Sequence, residues 1–130
     1  MEGVDIRELI KKSDENLNYR CLVEATMDHK IAPDDPLTET ILKGAQGIAT
    51  DFWYYSGDWW RPAIGIRWDG RYVGGVDCVY IETCRTRERV KKPITEIKFV
   101  RDLNSKLILP DVNPLIVHPD QKTIDAYFVR

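Results

Sequence analysis

The chain has no hydrophobic run near the ~20 apolar residues that a membrane-spanning helix needs, so nothing in it reads as a membrane segment. It also has little net charge. Nineteen Lys and Arg stand against 21 Asp and Glu, a formal charge of −2. No global field therefore draws it to nucleic acid or to a lipid surface, and any such binding must come from a local patch. Cysteine is scarce. Cys21, Cys78 and Cys84 are odd in number and show no C-x-x-C spacing, which argues against a disulfide framework and a zinc knuckle. His29 and His118 have no Cys or His at ligand spacing and read as ordinary surface or loop residues. The first residues, MEGVDIRELIKK, are charged throughout and lack a signal-peptide core. The expected location is cytoplasmic, with thiols acting as buried hydrophobes. There is no G-x-S-x-G, phosphate-cradling Gly loop, Rossmann fingerprint, internal repeat or low-complexity tract.

What is present suffices for a core. The 130 residues are 43% hydrophobic and include four Trp, which fits a single domain over 1–130. Asp5 to Leu17 reads as a helix, with Asp5 as cap, Glu8 three residues on, and Ile6, Leu9 and Ile10 along one side. Tyr19 to Met27 alternates as a strand. Asp35-Pro36 is a strong helix start. Leu37, Ile41, Ala45, Ile48 and Phe52 follow it at helical spacing, which predicts a second helix. Gly44 and Gly47 weaken that helix by roughly 1 kcal/mol each, unless they admit a neighbouring backbone. Ser56-Gly57-Asp58 breaks the aromatic stretch Trp53 to Trp60 as a turn. Asp69-Gly70 signals a hairpin between Ala63–Trp68 and Arg71–Gly74. Val76 to Cys84 and Ile94 to Val100 are strands, the second expected antiparallel to the first. Lys106–Leu109, Leu115–His118 and Thr123–Val129 are further short candidates. The expectation is an α+β fold: two helices on a mostly antiparallel or mixed sheet of about five to six strands.

Chemistry concentrates on two of these strands. Asp77 opens the first. Glu96 and Lys98 sit one residue apart in the second, so an extended chain points both to one face. Charges are depleted in apolar strands unless paired or needed. If the strands are neighbours, Asp77 and Glu96 could ligate a divalent cation, with the Ile97 carbonyl as a third oxygen. Lys98 could then position or deprotonate water, or stabilise developing charge. A same-face Glu/Lys pair is equally what an exposed strand uses for cross-strand pairing.

Gly75-Val76-Asp77 followed by Glu96-Ile97-Lys98 resembles the core motif of the PD-(D/E)xK nuclease superfamily. The resemblance implies acid and Glu-x-Lys on adjacent strands, one or two Mg2+ ions, and hydrolysis of DNA or RNA phosphodiesters. Many members carry another acid on the preceding helix, and Glu39 occupies the matching position. Val76 replaces the usual Pro, and Asp102 to Ile108 is short for the helix that usually follows. The resemblance covers roughly residues 37–100.

Arg85, Arg87, Arg89, Lys91 and Lys92 form a basic run between the motif strands, able to hold phosphates beside a cut or without one. Trp53, Tyr54, Tyr55, Trp59 and Trp60 could form a base-stacking platform or a protein-interface anchor. Five aromatics so close together cannot all be buried. The sequence thus supports a Mg2+-dependent nuclease. It also supports a small non-enzymatic protein-interaction module, such as a phage or virus structural adaptor, an inhibitor or an immunity protein. The third reading is a nucleic-acid binder without catalysis.

Overall fold

In the computed structural model, residues 4–70, 77–82, 91–103 and 108–118 are described. The chain opens with helix α1 (Ile6–Glu15), whose N-terminus is capped by the Asp5 side chain accepting from the Arg7 N–H. Its Ile6, Leu9 and Ile10 are buried, the side that the spacing predicts. Strand β1 (Cys21–Ala25) follows, then the short β2 (His29–Lys30) and β3 (Thr40–Ile41). The long β4 (Gln46–Tyr55) turns through residues 56–58 into β5 (Arg61–Arg67). After β5 come β6 (Asp77–Ile81), β7 (Lys91–Pro93), a 3-10 turn over Ile94–Glu96, β8 (Ile97–Asp102) and β9 (Ile116–Val117).

Six strands form one mixed sheet in the order β7-β6-β5-β4-β1-β8, and β2-β3-β9 form a small antiparallel sheet. The fold class is α+β. The edges of the large sheet are consecutive in sequence, with only Ile94–Glu96 between β7 and β8. Laid flat, the outer two strands would stand roughly 24 Å apart, at about 4.8 Å per step. Four residue steps span at most ~14 Å. The sheet must therefore curl until its edges approach. Thr26, the residue after β1, extends the β1–β8 pairing into the 3-10 turn, its N–H donating to the Glu96 carbonyl at 2.9 Å and its hydroxyl to the Thr95 carbonyl at 2.7 Å.

The predicted second helix is not formed. Asp35 accepts from the Leu37 N–H at 2.9 Å, but the turn ends there, and the apolar run becomes β3 and β4. A bulge in β4 between Ala49 and Asp51 accounts for the far end of the misleading period. An extra residue breaks the alternation of a strand, so the buried positions Ala45, Ala49 and Phe52 fall at near-helical intervals. The two glycines have separate reasons. Gly44 has φ of +90°, in the region that favours glycine. A Cβ on Gly47 would lie 2.8 Å from Ile66 Cγ2 and from Trp68 Cε3, so β4 and β5 can meet there only without a side chain.

Two strand expectations also change. Ile94–Glu96 is a 3-10 turn, and β8 pairs antiparallel with β1. It does not lie beside β6, whose neighbours are β5 and, in parallel, β7. The expected partner strand of the Asp69-Gly70 hairpin, Arg71–Gly74, lies outside the described residues, as does Thr123–Val129. Where the curled sheet closes, Val23, Ile64, Ile66, Trp68, Tyr80 and Ile97 join α1 in one buried core.

Candidate functional site

The strand order that separates β6 from β8 decides what becomes of the proposed catalytic trio. Asp77 begins β6, paired in register with Arg67 on β5. Glu96 ends the 3-10 turn and points inward, 1% exposed. Its Oε2 lies 3.9 Å from His29 Nδ1. Lys98 belongs to β8, opposite Glu24 of β1, and its ammonium meets that carboxylate at 3.1 Å on the partly exposed surface. The structure thus brings Glu96 to His29 and Lys98 to Glu24, and does not bring Glu96 and Lys98 into one pocket. The turn ends between them, so the two-residue alternation of a strand does not apply.

Glu39 lies just before β3 and not on a helix. Its carboxylate is 3.7 Å from His118 Nδ1, and its carbonyl accepts from the Ile31 N–H. Among the described residues, no three of His, Cys, Asp and Glu are grouped to hold a metal ion. A buried Glu96 and an outward Lys98 do not fit the hydrated cation that the nuclease resemblance implies.

Lys92 is a further correction. It is fully buried on β7, and its ammonium donates to the Ile31 carbonyl. That side chain fixes the β2 segment to the sheet and does not face a phosphate. Lys91 beside it is half-buried. Arg85, Arg87 and Arg89 lie outside the described residues.

Sequence reasoning missed the centre of this buried cluster. His29 is 5% exposed and not a surface residue. Its Nδ1 sits 3.0 Å from the Met27 carbonyl and its Nε2 sits 2.6 Å from the Tyr80 hydroxyl. A carbonyl only accepts, so Nδ1 carries the hydrogen and Nε2 accepts from the phenol in the neutral ring. Burial first, and the nearby Cys78 thiol second, push the Tyr80 phenol well above its usual pKa. It therefore stays protonated and keeps donating. Trp68 completes the group, its rings edge-on to both His29 and Tyr80. A two-residue strand is too short to show a period, so only the alternation of Met27, His29 and Ile31 hinted that His29 turns inward.

The aromatic stretch divides. Trp53 and Tyr55 share a face of β4, with ring centroids 6.5 Å apart. Tyr54 is exposed. Trp59 and Trp60, just past the turn after β4, are 89% and 68% exposed. Among the described residues, neither of their rings contacts another ring, so the five expected aromatics do not make one cluster. Both tryptophans have left-handed backbones, with φ of 55° and 58°. That region costs a non-glycine residue roughly 1–2 kcal/mol. Two consecutive indoles are therefore held outward at a backbone cost that Gly or Asn would largely avoid.

No helix among the described residues is long and apolar enough to cross a membrane. No family model, curated protein or solved structure matches the chain.

Proposed function

We propose that this chain is a non-enzymatic protein-interaction module that anchors a protein partner through Trp59 and Trp60. The observation that carries this reading is the pair of outward indoles on left-handed backbone. Strain at adjacent bulky residues is a reason to look for a role. Tryptophan is also among the side chains that dominate binding energy when a partner buries them. Tyr54, near the same end of β4, is exposed as well. The nuclease reading needs Asp77, Glu96 and Lys98 around one hydrated cation. The burial of Glu96 beside His29, and the outward pairing of Lys98 with Glu24, weigh against it.

The test is photo-cross-linking in the native cell. Benzoyl-phenylalanine placed at Trp59 or Trp60 should give the same discrete protein adduct. The same probe at the exposed Lys30, on the small sheet, should not. Absence of an adduct at both tryptophans, or an identical pattern from Lys30, overturns the reading. Mg2+-dependent cleavage of nucleic acid by the purified chain, lost in Glu96→Gln, would restore the nuclease in its place.

A further inference from the structure

Asp69-Gly70 has no second copy in the sequence, which contains no other Asp-Gly and no Asn-Gly. The pair lies just past β5 and meets the segment 108–115 that leads into β9. The Gly70 N–H donates to the Pro110 carbonyl at 2.8 Å. A Cβ on Gly70 would collide with the Leu109 carbonyl oxygen, so only glycine lets the two backbones meet there. Asp69 is fully buried. The segment above it is not: of residues 108–115 only Asn113 is buried. Its Nδ2 donates to the Gln46 carbonyl at 3.1 Å and to the Trp68 carbonyl at 2.8 Å, and its Oδ1 accepts from the Leu115 N–H at 3.0 Å. Ile108, Val112 and Leu115 are exposed. Residues 108–115 thus form a strap held by hydrogen bonds and little apolar packing. Such segments open at low cost, without the rest of the fold.

An Asp-Gly pair isomerises readily because glycine carries no side chain to obstruct ring closure. The amide nitrogen of Gly70 gives up its proton and bonds to Asp69 Cγ, and the hydroxyl of the carboxyl group leaves with that proton as water. Water then opens the five-membered imide. Where it breaks the bond from the nitrogen to the main-chain carbonyl carbon of Asp69, the chain runs on through Cγ as an isoaspartyl link. One water leaves and one enters, and nothing is oxidised or reduced. The closed strap obstructs the first step twice. The Pro110 carbonyl holds the proton that must depart, and close packing leaves a buried Asp69 no room to swing its carboxyl onto the nitrogen. Ile108 and Leu109 line the same small cavity as Asp69 and Gly70, so lifting the strap removes part of the cover over both.

We propose that Asp69 is a self-modification site gated by the strap 108–115: closed, the strap protects the Asp69-Gly70 bond, and open, it exposes that bond to conversion into isoaspartate. The new link adds one main-chain atom before Gly70, which sits under Leu109 where not even a Cβ fits. A modified chain therefore cannot seat the strap again, and the opening becomes permanent. None of this depends on a partner at Trp59 and Trp60.

The test ages the whole chain at mildly acidic pH and reads isoaspartate at residue 69 by peptide mapping with electron-transfer fragmentation, which distinguishes the two isomers. The synthetic peptide Ile-Arg-Trp-Asp-Gly-Arg-Tyr-Val, the sequence of residues 66–73, sets the unprotected rate. The intact chain should react at least about tenfold more slowly than the peptide, the factor that one net hydrogen bond supplies. Asn113→Ala should recover about tenfold of that protection for the same reason. Should Asn113→Ala fail to fold by circular dichroism, Pro110→Gly replaces it. That change keeps the carbonyl and every buried side chain, favours the open strap, and should speed the reaction severalfold. Sub-denaturing urea should leave the rate in the parent unchanged, because lifting the strap exposes little surface, whereas a route through global unfolding would accelerate steeply. An intact chain that reacts as fast as the peptide overturns the proposal. So does a rate that the strap variant leaves unchanged, or one that climbs with urea as global unfolding does.

Discussion

Tyr80 donates its phenolic hydrogen to Nε2 of His29 across 2.6 Å, fastening β6 of the large sheet to β2 of the small one. Both partners are buried, so neither can exchange the bond for one to water. Removing the hydroxyl with Tyr80→Phe leaves the imidazole acceptor without a donor at almost unchanged volume. The expected loss is about 1–3 kcal/mol of stability, read as a lower urea midpoint with unchanged slope. A variant as stable as the parent would show that the bond does not clamp the two sheets together.

Gly47→Ala tests the close approach of β4 and β5. The new methyl would stand 2.9 Å from the Arg67 carbonyl oxygen as well as against Ile66 and Trp68. Backbone cannot move aside as a flexible side chain can. Overpacking of this kind costs roughly 1–3 kcal/mol. Had the segment been helical, alanine would have stabilised it by about 1 kcal/mol, so the sign of the change measured by thermal unfolding separates strand from helix.

Asp102 makes stability depend on pH. Burial alone would raise its carboxyl, but the Tyr19 hydroxyl and the Lys12 ammonium outweigh burial and hold it below its ordinary range. A carboxyl depressed in the folded state stabilises the fold above the unfolded value, near 3.9. The contribution is lost as pH falls through the lower folded value. Asp102→Asn should therefore cost about 1 kcal/mol at neutral pH, a modest sum because the site is part-exposed. The gap between parent and variant should close in acid. A gap that stays constant down to the acid limit would refute the pairing.

Cys21 should resist alkylation. Burial, then the charge of Asp102, pushes its thiol up to about 12. Almost no thiolate is present near neutral pH, and the thiolate is the nucleophile. Iodoacetamide at mildly alkaline pH should leave Cys21 unmodified in the native protein and modify it fully in urea, as mapped by mass spectrometry. Rapid native labelling at Cys21 would show that β1 opens readily.

The two outward tryptophans predict a trade between stability and binding. Trp59→Gly relaxes a left-handed residue and should raise the melting temperature, by the equivalent of about 1 kcal/mol. The same change should weaken the cross-linked partner complex. Lower stability would mean that the indole supports the fold, and the interaction reading would lose its main support.

The sequence by itself determined α1, because Asp5 caps it and Ile6, Leu9 and Ile10 recur on one side within a few residues. It determined β1 by alternation, β6 by its run of branched and aromatic residues, and the turn at residues 56–58 by its composition. All of these rest on neighbours in the chain. The rest was decided by contacts between distant segments. The bulge in β4 disguised a strand as a helix, because its cause is the pairing with β5. Closure of the sheet sent β8 to β1 and buried Glu96 beside His29. It turned Lys98 outward to Glu24 and placed Lys92 under the small sheet. A charged residue reads the same in sequence whether it faces solvent, a partner or the core. Only the path of the backbone in space chooses its surroundings.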